Sequence, residues 1–150
     1  MWIIKKLEEN NVQYRISGGL AAQIYGYKRD LADIDIEVLE KDINKIYKQV
    51  KDFVIYGPAV YKDENWNLKL MTLKFQKQEI DIAAFEAKIF NLETKRWVKK
   101  PGLFTDVKIK KIFDLDVPVE NIKSLIKYKK ILNRLVDIQD VKELQKITKA

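Results

Sequence analysis

Neither cysteine nor histidine occurs among the 150 residues. Without cysteine there is no disulfide, no thiolate nucleophile and no cysteine-ligated zinc. Without histidine the commonest general base and metal ligand is gone. Chemistry on this chain would run on Asp, Glu, Lys, Arg, Ser or Tyr, or on a carboxylate-held metal, which favours hard cations such as Mg2+ or Mn2+. No apolar run approaches the ~18 residues of a membrane span. The start, MWIIKKLEENN, sets apolar residues before lysines, the reverse of a signal peptide. Both features predict a cytoplasmic protein with no membrane partner.

What is present suits a globular core: 47% of residues are hydrophobic and 34% charged. The length fits one domain spanning residues 1–150. A net charge of +7 favours anionic partners such as nucleotides, nucleic acid or an acidic protein. A lysine-rich surface with interspersed glutamates equally serves solubility alone.

Periodicity predicts an α+β layout with a mixed sheet. Residues 2–9 read as a short amphipathic helix, and 12–17 (VQYRIS) as a strand that stops at Gly18-Gly19. LAAQIYGY reads as two helical turns ending near Gly26, and 33–39 as a strand. Residues 42–51 carry Ile43, Ile46, Tyr47 and Val50 at helical spacing, with Asp42 placed as N-cap. Residues 67–75 and 79–85 form an antiparallel hairpin around Gln76-Lys77-Gln78. Short strands follow near 106–113 and 117–119, after a turn at Pro101-Gly102. From about residue 120 to 150 the pattern is helical, broken near 133–137.

The informative stretch is DLADIDIEV, in which Asp33, Asp35 and Glu37 alternate with Ile34, Ile36 and Val38. Alternate strand residues share a face with Cα atoms ~6.5–7 Å apart, so Asp33 and Asp35 project together while the aliphatics enter the core. Like charges side by side on a sheet repel, and a divalent cation between them removes the penalty. Paired metals about 3.5–4 Å apart serve in-line phosphoryl or nucleotidyl transfer. Asp81, between Ile80 and Ile82, alternates in the same way and reaches the same cations if the two strands are neighbours. Amphipathic strands with merely solvated acids give the same pattern. Gly18-Gly19, between a strand and a helix, lets a phosphate approach backbone N–H groups, with Ser17 adding a hydroxyl; an ordinary tight turn would also use it. Lys129 falls on the apolar stripe of Ile122, Leu125, Ile126 and Leu132, where its ammonium either meets an anion or snorkels to water.

Ser17-Gly18-Gly19, Asp33-Ile34-Asp35 and Asp81 together resemble, in order and spacing, the signature of the nucleotidyltransferase superfamily related to DNA polymerase β. The chain looks most like the small aminoglycoside and lincosamide nucleotidyltransferases and their prokaryotic relatives. Arg29, four residues before Asp33, fits their pattern, as do VPV at 117–119, Leu125-Ile126 with Lys129, and Arg134 with Asp137. Leu31 departs from the polar residue common there. The resemblance implies a nucleotidyltransferase fold and a metal-dependent enzyme using Mg2+ or Mn2+ and an NTP such as ATP. Asp33, Asp35 and Asp81 would then be the catalytic and metal residues. Ser17, Gly18, Gly19, Arg29 and Lys129 would bind the nucleotide, and the NMP would pass to a hydroxyl on a small molecule, an RNA end or a protein.

Two other readings stand beside it. One is a non-catalytic module of the same fold that binds nucleotide or a protein partner, as in a toxin–antitoxin pair. The other is a basic RNA-binding domain, with Trp66, Trp97 and several tyrosines available to stack on bases.

Overall fold

The computed structural model describes residues 1–149. These form nine strands and five α-helices. Helix α1 (Trp2–Glu9) leads into β1 (Tyr14–Ser17), α2 (Gly18–Ile24), β2 (Asp33–Val38) and α3 (Ile43–Val50). Strands β3 (Val54–Lys62), β4 (Trp66–Phe75), β5 (Gln78–Ala84), β6 (Lys88–Asn91), β7 (Arg96–Lys99), β8 (Val107–Ile112) and β9 (Leu115–Glu120) follow. Helices α4 (Ile122–Leu132) and α5 (Leu135–Lys149) close the chain. No helix among the described residues is long and apolar enough to cross a membrane.

The strands make one sheet in the order β7-β6-β4-β5-β2-β1-β9-β8, with β3 also on β4. β2 runs parallel to β5 and β1 parallel to β9, while the other pairs are antiparallel, so the sheet is mixed as expected. The register sorts the side chains. Ile16, Ile36, Val38, Leu73, Ile80 and Ile82 fill one buried core with Ile3, Ile4 and Leu7 of α1 and Ile43 and Ile46 of α3. Each apolar residue is followed by one on the opposite face. Arg15, Ser17, Asp35, Glu37, Asp81 and Thr72 therefore gather there by register alone: Ser17 pairs with Asp35, Asp35 with Asp81, and Asp81 with Thr72.

Several local details differ from the sequence reading. α2 begins at Gly18, two residues earlier. Asp42 precedes α3 but makes no side-chain cap, because a short 3-10 turn over Glu40–Asp42 already leads the chain into the helix. The β4–β5 turn is Gln76-Lys77 alone, both at positive φ, which suits a two-residue hairpin. β3 had no clear signal because Gly57-Pro58 interrupts it; its pairing with β4 shifts register between Tyr56 and Ala59. An edge strand tolerates such an interruption. The C-terminal break is confined to Asn133 and Arg134, with Asn133 left-handed at φ 51° as the cap of α4.

Candidate active site

β2 and β5 lie side by side in parallel register, so Asp35 sits directly opposite Asp81. Asp33 projects from one step earlier on the same face. Carboxylate oxygens of Asp33, Asp35 and Asp81 all lie within 4.8 Å of one another. Three carboxylate oxygens at that separation could serve as donors to a hard divalent cation. Burial and crowding together raise the pKa values of two of them, Asp35 and Asp81. Burial, then the charges of Asp33 and Asp81, pushes the Asp35 pKa up to about 7. Asp81 rises to about 6, chiefly through burial and its proximity to Asp33, while a 2.6 Å hydrogen bond from Thr72 Oγ1 opposes the shift. Without a cation, protons on Asp35 and Asp81 relieve the repulsion, and the three residues could hold a cation in their place.

The three acids line a cleft of about 560 Å3, whose walls include Ser17, Gly18, Gly19, Arg29 and Lys129. The structure thus brings every sequence-predicted site residue to one cavity. Their partners are less expected. Lys129 is only 4% exposed, and its ammonium donates to Asp140 Oδ2 at 2.8 Å and not to the aspartate triad. Arg29 Nη1 donates to both oxygens of Asp140 at 2.5 Å. Asp140, buried on α5, was not singled out from sequence; its signal was an acid beside Val141 on the buried face of that helix. Gly18 has φ +61°, and a Cβ there would land on the Asp35 carboxylate. The carboxylate's approach and the left-handed backbone therefore already require this glycine. Gly19 faces Arg29 and Leu31, and a Cβ there would meet them at 3.2–3.4 Å.

Behind the triad lies an ion network that sequence reasoning missed. Glu37, third acid of the alternating run, leaves the metal cluster to pair with Arg15 (2.6 Å) and Lys100. Arg15 Nη2 also lies 3.2 Å from Glu120, and Ser17 Oγ donates to Glu120 Oε2 at 2.6 Å while accepting from Lys100 at 3.3 Å. All five side chains are buried, two cations against two anions with one hydroxyl between. Burial alone would raise the Glu37 pKa, but the Lys100 and Arg15 charges outweigh it and hold the carboxyl below its usual range. Lys100, which burial would lower, is instead raised by Glu120 and Glu37. The network occupies the hydroxyl of Ser17 and pins β1, β2 and β9 together directly behind the acids. The available signal was slight: Arg15 stands between Tyr14 and Ile16 in β1, and Glu120 ends β9 after Val117 and Val119.

No family profile and no curated protein matches the chain in sequence. Solved structures do match its fold. A Thermotoga maritima protein assigned as a nucleotidyltransferase superposes with a TM-score of 0.71 at 16% identity, covering 97% of this chain and 85% of its own. The lincosamide antibiotic adenylyltransferase LnuA, with lincomycin bound, gives 0.64 at 18% identity over 97% and 94% of the two chains. The antibiotic-resistance factor ANT(2'')-Ia in complex with adenylyl-2''-tobramycin gives 0.59 at 14% identity over 97% and 88%. The chain has the nucleotidyltransferase fold.

Proposed function

We propose that the protein transfers a nucleoside monophosphate from an NTP to an acceptor hydroxyl, with Asp33, Asp35 and Asp81 holding Mg2+ or Mn2+. The observation that carries this reading is the convergence of the three carboxylates, from neighbouring parallel strands, in a cleft also lined by Gly18, Gly19 and Lys129. Divalent cations bound there would supply charge neutralisation at the α-phosphate and at the attacking oxygen. The chain's own residues do the rest. Gly18 and Gly19 keep the start of α2 free of side chains where the phosphates approach. Ser17 anchors that start through Glu120, so its part is to hold the loop in place. Arg29 and Lys129, poised on Asp140, offset the negative charge that gathers on the departing pyrophosphate. Asp81, held by Thr72 on the side of the triad away from Gly18, accepts the proton of the acceptor hydroxyl.

Calorimetry with ATP tests this. Affinity should rise on adding Mg2+, and Asp35→Asn should remove most of the gain, since Asn keeps the shape but not the charge. Equal affinity in EDTA, in Mg2+ and in the variant would overturn the reading. Mg2+-dependent binding with no pyrophosphate release in the presence of a broad acceptor panel would favour the non-catalytic module.

A further inference from the structure

The cleft has a second half in which the aspartate triad takes no part. Thr72, Leu70, Leu68 and Trp66 share the Asp81 face of β4, so the wall turns from polar to apolar as it leaves the acids. Tyr61, opposite Leu68 on β3, and Tyr128 of α4 extend it. Trp66 is held firmly: its Nε1 donates to Tyr128 Oη at 2.8 Å, and the Arg134 guanidinium lies 4.5 Å over its ring. Most charges around this half are already paired. Glu37 is bound by Lys100 and Arg15, and Arg134 by Asp137 at 2.6 Å. Asp63, beside the wall, has no ion pair, but its carboxylate accepts from Tyr61 Oη and from the backbone N–H groups of Asn65 and Trp66. Glu79, which also lines the cleft, stands next to Asp33 on the acid side.

Resting on the nucleotidyl-transfer reading, we propose that this wall is the acceptor subsite, and that the acceptor is a small uncharged molecule with a flat aromatic body carrying the hydroxyl. Its place follows from the sheet order. Thr72, Asp81, Asp35 and Ser17 stand in one row across four strands. Gly18, Gly19 and the phosphate-side cations lie beyond Asp35, so pyrophosphate leaves on that side. In-line attack then comes from the Asp81 and Thr72 side, where the apolar wall begins. The acceptor oxygen bonds to the α-phosphorus, the bond to the β-phosphate oxygen breaks with its electrons going to pyrophosphate, and the hydroxyl proton passes to Asp81. A flat ring gains stacking area against Trp66, Tyr61 and Tyr128. A polyamine finds there only Asp63, whose carboxylate is already taken up by Tyr61 Oη and two backbone N–H groups, and gains none of the stacking area. The cavity volume is in the range of small-molecule sites.

The probe is naphthylmethanol, titrated by calorimetry into the protein saturated with Mg2+ and a non-hydrolysable ATP analogue. It should bind, and Trp66→Leu should weaken it on the order of tenfold, with a much smaller change for the nucleotide analogue. Tyr61→Ala, at the exposed rim, carries the same test should Trp66→Leu fail to fold. Tobramycin should not compete. The proposal is overturned if naphthylmethanol does not bind, if tobramycin binds more tightly, if neither variant weakens the probe, or if adenosine displaces it from the free protein. In that last case the wall would seat the base. Failure of the analogue itself to bind with Mg2+ would sink the nucleotidyl-transfer reading instead, and naphthylmethanol binding to the free protein still decides the chemistry of the wall.

Discussion

The Lys129 ammonium and the Asp140 carboxylate meet at 2.8 Å inside the α4–α5 hairpin, both almost wholly buried. Arg29 binds the same carboxylate from outside. Removing one member of a buried pair leaves the other uncompensated, at a cost on the order of 3–5 kcal/mol. Asp140→Asn should therefore lower the urea midpoint markedly. Lys129→Met should cost less, because Asp140 keeps Arg29, and in the Asp140→Asn background it should restore part of the loss. A double-mutant cycle that comes out additive would show the pair to be uncoupled.

Lys129→Met also separates binding from folding. The substitution keeps the aliphatic stem within the stripe of Leu125, Ile126 and Leu132 and removes only the charge. A charge-assisted hydrogen bond to phosphate contributes about 1.5–3 kcal/mol, so ATP affinity in Mg2+ should fall by roughly tenfold to a hundredfold. Adenosine affinity should barely change. Parallel titrations of the two ligands check it, and equal losses would remove Lys129 from the phosphate side.

How much of this was readable in the chain depended on whether partners were near in sequence. The alternation with isoleucines put Asp33 and Asp35 on one face of their strand and Asp81 on the polar face of its own, without any knowledge of the sheet order. Their meeting needed only that β2 and β5 be neighbours. The hairpin of β4 and β5 and the two closing helices followed from period and turn residues in the same way. The network of Arg15, Glu37, Lys100 and Glu120 draws on three strands and the segment after β7, and no local spacing announces it. Lys129 was recognisable as out of place on an apolar stripe, yet its acid stands on a different helix. Strands β6 and β7, four residues each, are too short for alternation to distinguish them from loop.

The acid cluster predicts a pH dependence whose sign reverses with metal. In the metal-free protein Asp35 and Asp81 hold protons up to about 7 and about 6, whereas in the unfolded chain both titrate near 3.8. The folded state thus binds more protons than the unfolded state across this window. That contribution is fully present below pH ~4 and is lost as pH rises towards 7, with a slope of at most ~1.4 kcal/mol per pH unit for each proton involved. Thermal melts in EDTA should show stability falling between these limits, and Asp35→Asn should flatten the fall. In saturating Mg2+ the trend should invert, because the cation binds the deprotonated carboxylates. A metal-free protein whose stability is level across the window, and which Asp35→Asn leaves unaltered, would mean that neither burial nor mutual repulsion raises these carboxyls.

Gly18 and Gly19 look equivalent in sequence but should respond differently to the same methyl group. At Gly18 the backbone is left-handed at φ +61°, which for alanine costs roughly 1–2 kcal/mol. The new Cβ would also fall on the Asp35 carboxylate, displacing the one acid that faces both Asp81 and Ser17 in the strand register. Gly18→Ala should therefore lower stability and also weaken Mg2+ binding in the absence of nucleotide. At Gly19 the Cβ meets only the ends of Leu31 and Arg29, flexible side chains that can yield by a few tenths of an ångström. Gly19→Ala should leave metal affinity intact, and its main effect should be a loss of ATP affinity, since the start of α2 would then carry a side chain on the phosphate side. Mn2+ binding followed by electron paramagnetic resonance, with and without ATP, resolves the two cases. Equal metal affinity in both variants would show that Asp35 accommodates the methyl group and that its position does not depend on the glycine.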